Sequence, residues 1–198
     1  LVEDNLSVKS QLNLQREYTE KAAYGVGLQC DTDGFSLYTS LTNSAVGSFG
    51  VDVNDDTVLA AWEKLSNLDV PEEDRGWFFH PSAYADLLKV EKFVRTDFKT
   101  LMLQGMDIPR ALRSKVKGEL YGSPVYVTTN VPTGTYGSPV ATGRINMYLH
   151  KEAFQLGMQK QLRTQTTYIQ EYLGHLTTVD MIYGWAVYRA DHGVVVRS

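Results

Sequence analysis

Cysteine is nearly absent: Cys30 stands alone in 198 residues. One thiol forms no intrachain disulfide and no cysteine-rich zinc site, so neither staples this fold. A single thiol fits a reducing compartment. Positive charge is also scarce. Lys and Arg number 19 against 23 Asp and Glu, a net charge of −4, which argues against the basic stripe of a dedicated nucleic-acid binder. No apolar run approaches the roughly 20 residues that a membrane span requires. The familiar catalytic signatures are missing too: there is no G-x-S-x-G elbow and no Walker or G-x-G-x-x-G loop. The nearest, Gly25-x-Gly27, lies inside a helical pattern and not after a strand. No internal repeat is visible at periods of about 20–50 residues. An initiator Met and a signal-peptide pattern are lacking as well. LVEDNLSVKSQ therefore reads as the extended end of a segment that began earlier, in a processed chain or a fragment.

What is present is ordinary for a folded chain: 43% hydrophobic and 21% charged residues, enough for one sizeable core or two small ones. The segment 12–43 carries apolar residues at Leu14, Tyr18, Ala22, Val26, Cys30, Leu37 and Leu41. These steps of three and four predict one long helix of about 48 Å, at roughly 1.5 Å per residue. Gly25, Gly27 and Gly34 weaken it, by up to about 1 kcal/mol each. Packing must therefore supply what propensity does not, and Gly25 and Gly27 are expected where another backbone crosses closely or the helix bends.

SAVGSFG at 44–50 reads as a linker or turn, and a boundary between lobes is expected there. Residues 52–70 predict an amphipathic helix capped by Asn54 or Asp55, with Val58, Ala61, Trp62 and Leu65 on one face. PEEDRG is a turn, and WFFH at 77–80 a buried strand that stops at Pro81. Ser82 is expected to cap the helix SAYADLLKVEKFV, and 95–112 reads as a loop. Residues 118–132 predict a hairpin turning at Gly122–Pro124. Met147, Leu149, Phe154, Leu156 and Met158 are expected on one side of a second hairpin, and 162–169 continues as a strand. Two more strands flank an ADHG turn at 190–193. Helices and strands mix without βα alternation, which makes the fold α+β.

Each candidate for chemistry has a plainer explanation. Asp52, Asn54, Asp56 and Glu63 occupy the spacing of a calcium loop, but Thr57 stands where that loop needs Gly, and a capped helix start accounts for the acids. His80, His150, His175 and His192 lack the spacing of a zinc pair. His80 reads as a hydrogen-bonded structural residue and the other three as surface or interface residues. Glu72, Glu73 and Asp74 are successive turn residues that point apart, unlike a glycosidase pair. Cys30 reads as a packed thiol. YGSP, at 121–124 and again at 136–139, is a turn tetrad. Arg110, Arg113, Lys115 and Lys117 form one basic cluster, read as pairing with a neighbouring subunit's acids or as plain solubility. No catalytic, cofactor-binding or metal residue is assigned. The 12 Tyr residues suit protein interfaces, where they bury area and keep a polar tip.

Four stretches resemble one family in the right order. EYTEKAAYGVGLQCDTDGFSLY is similar to a spine helix, and VPEEDRGWFFHPSAYADLLK to a "PE-x-R-x-hydrophobic-HP-x-x-Y-x-x-L" segment. GELYGSPVYVTTNVP is similar to a "G-x-x-YG-x-x-V-x-x-(S/T)-N-x-(L/V)P" strand pair, and EYLGHLTTVDMIYGWAVYRADHGVVV to a "YG-x-x-V-x-R-x-(D/E)-x-G-V-V-V" end. The chain thus resembles the major capsid proteins of tailed bacteriophages, whose shell fold is shared with encapsulins. The resemblance implies a tile with a long spine helix in a peripheral lobe and a mixed α/β axial lobe. Residues 1–45 would hold the end of an extended arm and the spine, 46–143 the axial lobe, 144–170 the long strands of the peripheral lobe, and 171–198 strands returning to the axial lobe. It further implies a non-enzymatic virion subunit, without cofactor, that self-assembles through pentamers and hexamers around double-stranded DNA. Scaffold and portal proteins would be partners, and no membrane would be. The alternatives are an encapsulin-like compartment, a small α+β ligand-binding or enzyme domain using the 52–63 acids or a His-lined cleft, and a tail or neck protein.

Overall fold

A computed structural model describes residues 2–3, 14–90, 116–136 and 141–198. The chain divides into two compact units, one of Leu1–Gly34 with Leu156–Trp185, the other of Phe35–Gln155 with Ala186–Ser198. The α+β reading holds: helices sit beside two mixed-length sheets.

The second unit is built on a six-stranded sheet. Its strands are β2 (Arg75–Phe79), β3 (Val116–Leu120), β4 (Ser123–Val127), β5 (Thr133–Tyr136), β6 (Ala141–His150) and β9 (Gly193–Arg197). The order is β3-β4-β2-β6-β5, with β9 also paired to β6. All neighbours are antiparallel except β2 and β4. Continuous apolar runs become its buried strands: Trp77 and Phe79 in β2 and Val194–Val196 in β9 are fully or nearly fully buried. Helices α2 (Asp55–Ser66) and α3 (Pro81–Leu87) supply Val58, Ala61, Leu65, Ala83 and Leu87 to the same core. A smaller cluster gathers Met147, Leu149 and Ala153 with Phe35, Tyr38, Leu41, Phe78 and Phe154. Tyr148 belongs to the first cluster and its neighbours Met147 and Leu149 to the second, so β6 is covered on both faces.

That double burial corrects the expected hairpin. Phe154 does join Met147 and Leu149. The strand then leaves for the other sheet, and Met158 is 53% exposed. Two further local expectations shift. Asn54 caps α2, its side chain accepting from Thr57 N at 2.9 Å. The cap of α3 is His80 and not Ser82, because Pro81 fills the first helical position, where its missing N–H costs nothing. The 118–132 hairpin turns one residue earlier than expected. Tyr121 and Gly122 carry positive φ (49° and 75°), as a two-residue primed turn demands, and Ser123 and Pro124 are already in the strand. The expected end of the SAYADLLKVEKFV helix and the loop 95–112 fall on residues outside those described.

The first unit contains α1 (Leu14–Ser36), which continues into a 3-10 turn at Leu37–Ser40. It is shorter than the expected 12–43 helix. Leu41 turns extended, and α1 spans about 35 Å. Its exposed side carries i,i+4 bonds Arg16–Glu20, Lys21–Glu17 and Gln29–Asp33. Only Cys30 and Gly34 are buried. Beside it lies a three-stranded sheet in the order β1-β8-β7, with β1 (Val2–Glu3), β7 (Phe154–Ile169) and β8 (Gly174–Val187). Residues 174–185 therefore group with α1. A strand paired along its length to β7 travels with that hairpin.

Helix and sheet meet at Trp185, whose Nε1 donates to the Cys30 carbonyl at 2.9 Å, and at Tyr183, whose hydroxyl donates to Asp33. Gly34 is the glycine this contact needs: a Cβ there would sit 2.8 Å from the Trp185 ring. Among the described residues nothing lies within 4 Å of a Cβ built at Gly25 or Gly27, so no described backbone crosses there. Gly34→Ala is expected to lower stability by about 1–3 kcal/mol through overpacking. Gly25→Ala is expected to raise it by up to about 1 kcal/mol. Urea unfolding followed by tryptophan fluorescence measures both signs.

Candidate assembly surface and polar clusters

The first unit leaves much apolar surface uncovered. On α1, Tyr18 and Tyr24 are 53% and 68% exposed. On the β7–β8 hairpin, Tyr172 and Leu173 at its tip are each 62% exposed, and Leu162 and Ile182 are about half so. Much of β7 is exposed along its length, and its charged groups hold the hairpin by pairing across it, as Arg163 Nε does with both oxygens of Asp180 at 2.7 and 2.8 Å. Arg163 in turn holds the Asp180 carboxyl below its usual range. Burying one large apolar side chain yields about 1.5–3 kcal/mol, so this surface has much to gain from a neighbour. The sequence signal for it was the excess of Tyr.

The suspected acid cluster disperses. Asp52 pairs with Lys89 at 2.9 Å, Asn54 is spent as a cap, and Asp55 accepts from the Tyr121 hydroxyl. Asp56 sits in the first turn of α2 and Glu63 two turns on. Glu72 and Glu73 are exposed, and Asp74 pairs with Lys151, which holds its carboxyl below the usual range. Arg110, Arg113 and Lys115 lie outside the described residues, and Lys117 is in β3. Cys30 is buried.

The histidines separate into different roles. His80 Nδ1 lies 2.7 Å from Ser82 Oγ and accepts from Ser82 N at 3.2 Å. His175 is part-buried, edge-on to Tyr168 at 5.1 Å. His150 and His192 are not surface residues. Each is 4% exposed, with ring centroids 5.5 Å apart. Glu152 joins them, so that one donor atom from each of the three residues lies within 4.8 Å of the others. Sequence spacing missed this group because strand pairing between β6 and β9, not local chain geometry, brings the two rings together.

No family model matches the sequence, and the search of curated proteins gave no match. Solved structures do match. A chain of Mycobacterium phage Che8 superposes with a TM-score of 0.74 at 19% identity, over 99% of this chain and 67% of that one. A chain of the capsid of cyanophage P-SCSP1u gives 0.68 at 16% identity, over 98% and 69%. The chain has the tailed-phage capsid fold. That shell fold extends to the holo-SrpI encapsulin complex of Synechococcus elongatus, which matches with a TM-score of 0.62 at 13% identity, over 98% of this chain and 70% of that one. At these identities the capsid fold is what is shared, and the chain spans about two thirds of each of those chains.

Within the capsid fold His80 is a local pH-sensitive fastening. Burial, and then the charge of Arg144, lower its imidazole below the usual value. Such a group takes its proton more readily in the unfolded chain. Its contribution is complete above about pH 6.5 and is lost as pH falls from there toward the depressed folded value. Protonation also removes the lone pair that caps α3. His80→Asn keeps a capping oxygen and does not titrate. The variant is expected to show a shallower loss of melting temperature between pH 7 and pH 5 than the parent, read by thermal scans across that range.

Proposed function

We propose that this chain is a structural subunit of an icosahedral phage head, assembling through pentamers and hexamers around double-stranded DNA, and that its role is non-catalytic. The observation that carries the reading is the capsid fold combined with an uncovered apolar and aromatic surface on α1 and the β7–β8 hairpin. Closed assembly from many copies requires each subunit to present surfaces for its neighbours. In this reading the unit containing α1 and the hairpin is the peripheral lobe, and the unit with the six-stranded sheet is the axial lobe at the five- and six-fold centres. Scaffold and portal proteins would be its partners, and the virion its location. The net charge of −4 suits a container for DNA, since a strongly basic lining would hold the packaged polymer tightly and in a salt-sensitive way.

The likeness to an encapsulin complex supports a second reading, a compartment holding protein cargo. Microscopy of particles formed by the protein with its scaffold separates the two. Closed shells that protect DNA from nuclease are expected. Shells that co-purify with protein cargo and no DNA favour the compartment, and a chain that stays monomeric at high concentration overturns both. Tyr172→Asp and Leu173→Asp, at the exposed hairpin tip, are expected to suppress shell formation while changing the monomer's stability by less than about 0.5 kcal/mol. Light scattering and thermal scans check the pair.

A further inference from the structure

β6 and β9 pair antiparallel with Leu149 opposite Gly193, so the turn after β6 and the turn before β9 lie side by side. Backbone bonds fix them: His150 N donates to His192 O at 3.0 Å, and Arg189 N to Glu152 O at 3.1 Å. Three side chains able to bind a metal are thereby directed to one place. Both imidazoles are buried, while the Glu152 side chain is 41% exposed and leaves one side open to solvent.

We propose that His150, Glu152 and His192 form a binding site for a divalent transition-metal ion of the zinc class. Two imidazoles and one carboxylate suit such an ion, with water in the fourth position. Its bonds of about 2.0–2.2 Å require donors closer together than the 4.8 Å limit within which they lie. The half-exposed Glu152 has the freedom to close that gap. Asp191 Oδ1 lies 2.9 Å from His192 Nδ1. With the proton held on Nδ1, Nε2 keeps its lone pair for a metal, the arrangement in which a second carboxylate orients a ligating histidine. His150 Nδ1 accepts from the Glu152 N–H at 3.3 Å, and this long bond is given up when the ring binds the metal, either through Nδ1 itself or through Nε2 with the proton moved to Nδ1.

The surrounding charges permit a cation. Lys151 is engaged by Asp74, and Arg189 stands off from Glu152 at 3.5 Å in a loose, exposed pair. Calcium and magnesium are disfavoured, because they require oxygen shells that buried imidazoles do not supply. The consequence is positional. Two of the chain's three crossings between its units, at 155–156 and 185–186, follow Glu152 and precede His192 by a few residues. A bound ion would tie the two roots of the β7–β8 hairpin to each other within the second unit. It would also stabilise the folded chain by mass action.

The site does not depend on shell formation, so the test uses the purified, unassembled chain after chelator treatment. Zinc chloride is titrated by calorimetry and in thermal scans, with magnesium chloride in parallel. One zinc ion per chain is expected, with a melting temperature that rises with zinc and not with magnesium. Glu152→Gln and Asp191→Asn, both at partly exposed positions, are each expected to weaken zinc binding tenfold or more. Absence of saturable zinc binding overturns the proposal. So does unchanged zinc affinity in Glu152→Gln, which would place the ion elsewhere.

Discussion

Trp77 and Tyr148 face each other across the β2–β6 pair and stack at 3.8 Å, and much of the second unit depends on that contact. Both side chains are fully buried, and each has its polar end satisfied. Trp77 Nε1 donates to the Leu120 carbonyl at 3.0 Å, and the Tyr148 hydroxyl lies 3.0 Å from Ser123 Oγ. One aromatic pair therefore ties β2, β3, β4 and β6 into a single sheet. Phe79 extends the stack, 5.5 Å from Trp77. Arg75 fastens the incoming turn: it is buried, and its guanidinium donates to the carbonyls of Val70 and Pro71 and to Ser66 Oγ. Asn146 does the same at the other end, accepting from His80 N and donating to Ser198 Oγ. Buried polar groups that are fully paired make such a core specific as well as stable.

The first unit follows a different rule. Its helix buries only Cys30 and Gly34, and its contact with the sheet rests on Trp185 and Tyr183. A 16-residue strand such as β7, exposed along much of its length, gains little from its own chain beyond ladder hydrogen bonds and cross-strand pairs. The two units thus divide the work in physical terms. One builds a core from its own residues, and the other leaves large apolar side chains uncovered, which suits the proposed shell.

Much of this was legible where one segment decides its own structure. Asn54 before an apolar period gives a capped helix, residues 77–79 a buried strand, and 118–132 a hairpin, although its turn falls one residue earlier than Gly122–Pro124. Four ordered segments carried the capsid resemblance, and the structural likeness agrees on the fold. Legibility ended where distant segments decide. The length of α1 was overestimated because Leu37 and Leu41 keep the helical period while the backbone leaves it. Gly34 was grouped with Gly25 and Gly27, although only Gly34 meets an indole ring. Met147 and Met158 share an alternation but lie in different sheets. The His150–His192 pair exists only because β9 returns beside β6, and no local spacing encodes that return.

The central claim is that α1 and the β7–β8 hairpin are completed by neighbouring subunits. Amide hydrogen exchange of the unassembled chain and of assembled particles, compared segment by segment, tests it most directly. The account predicts strong protection of β2, β6 and β9 in both states, with α1, β7 and β8 gaining protection only on assembly. Equal protection of α1 and the hairpin in both states would contradict it.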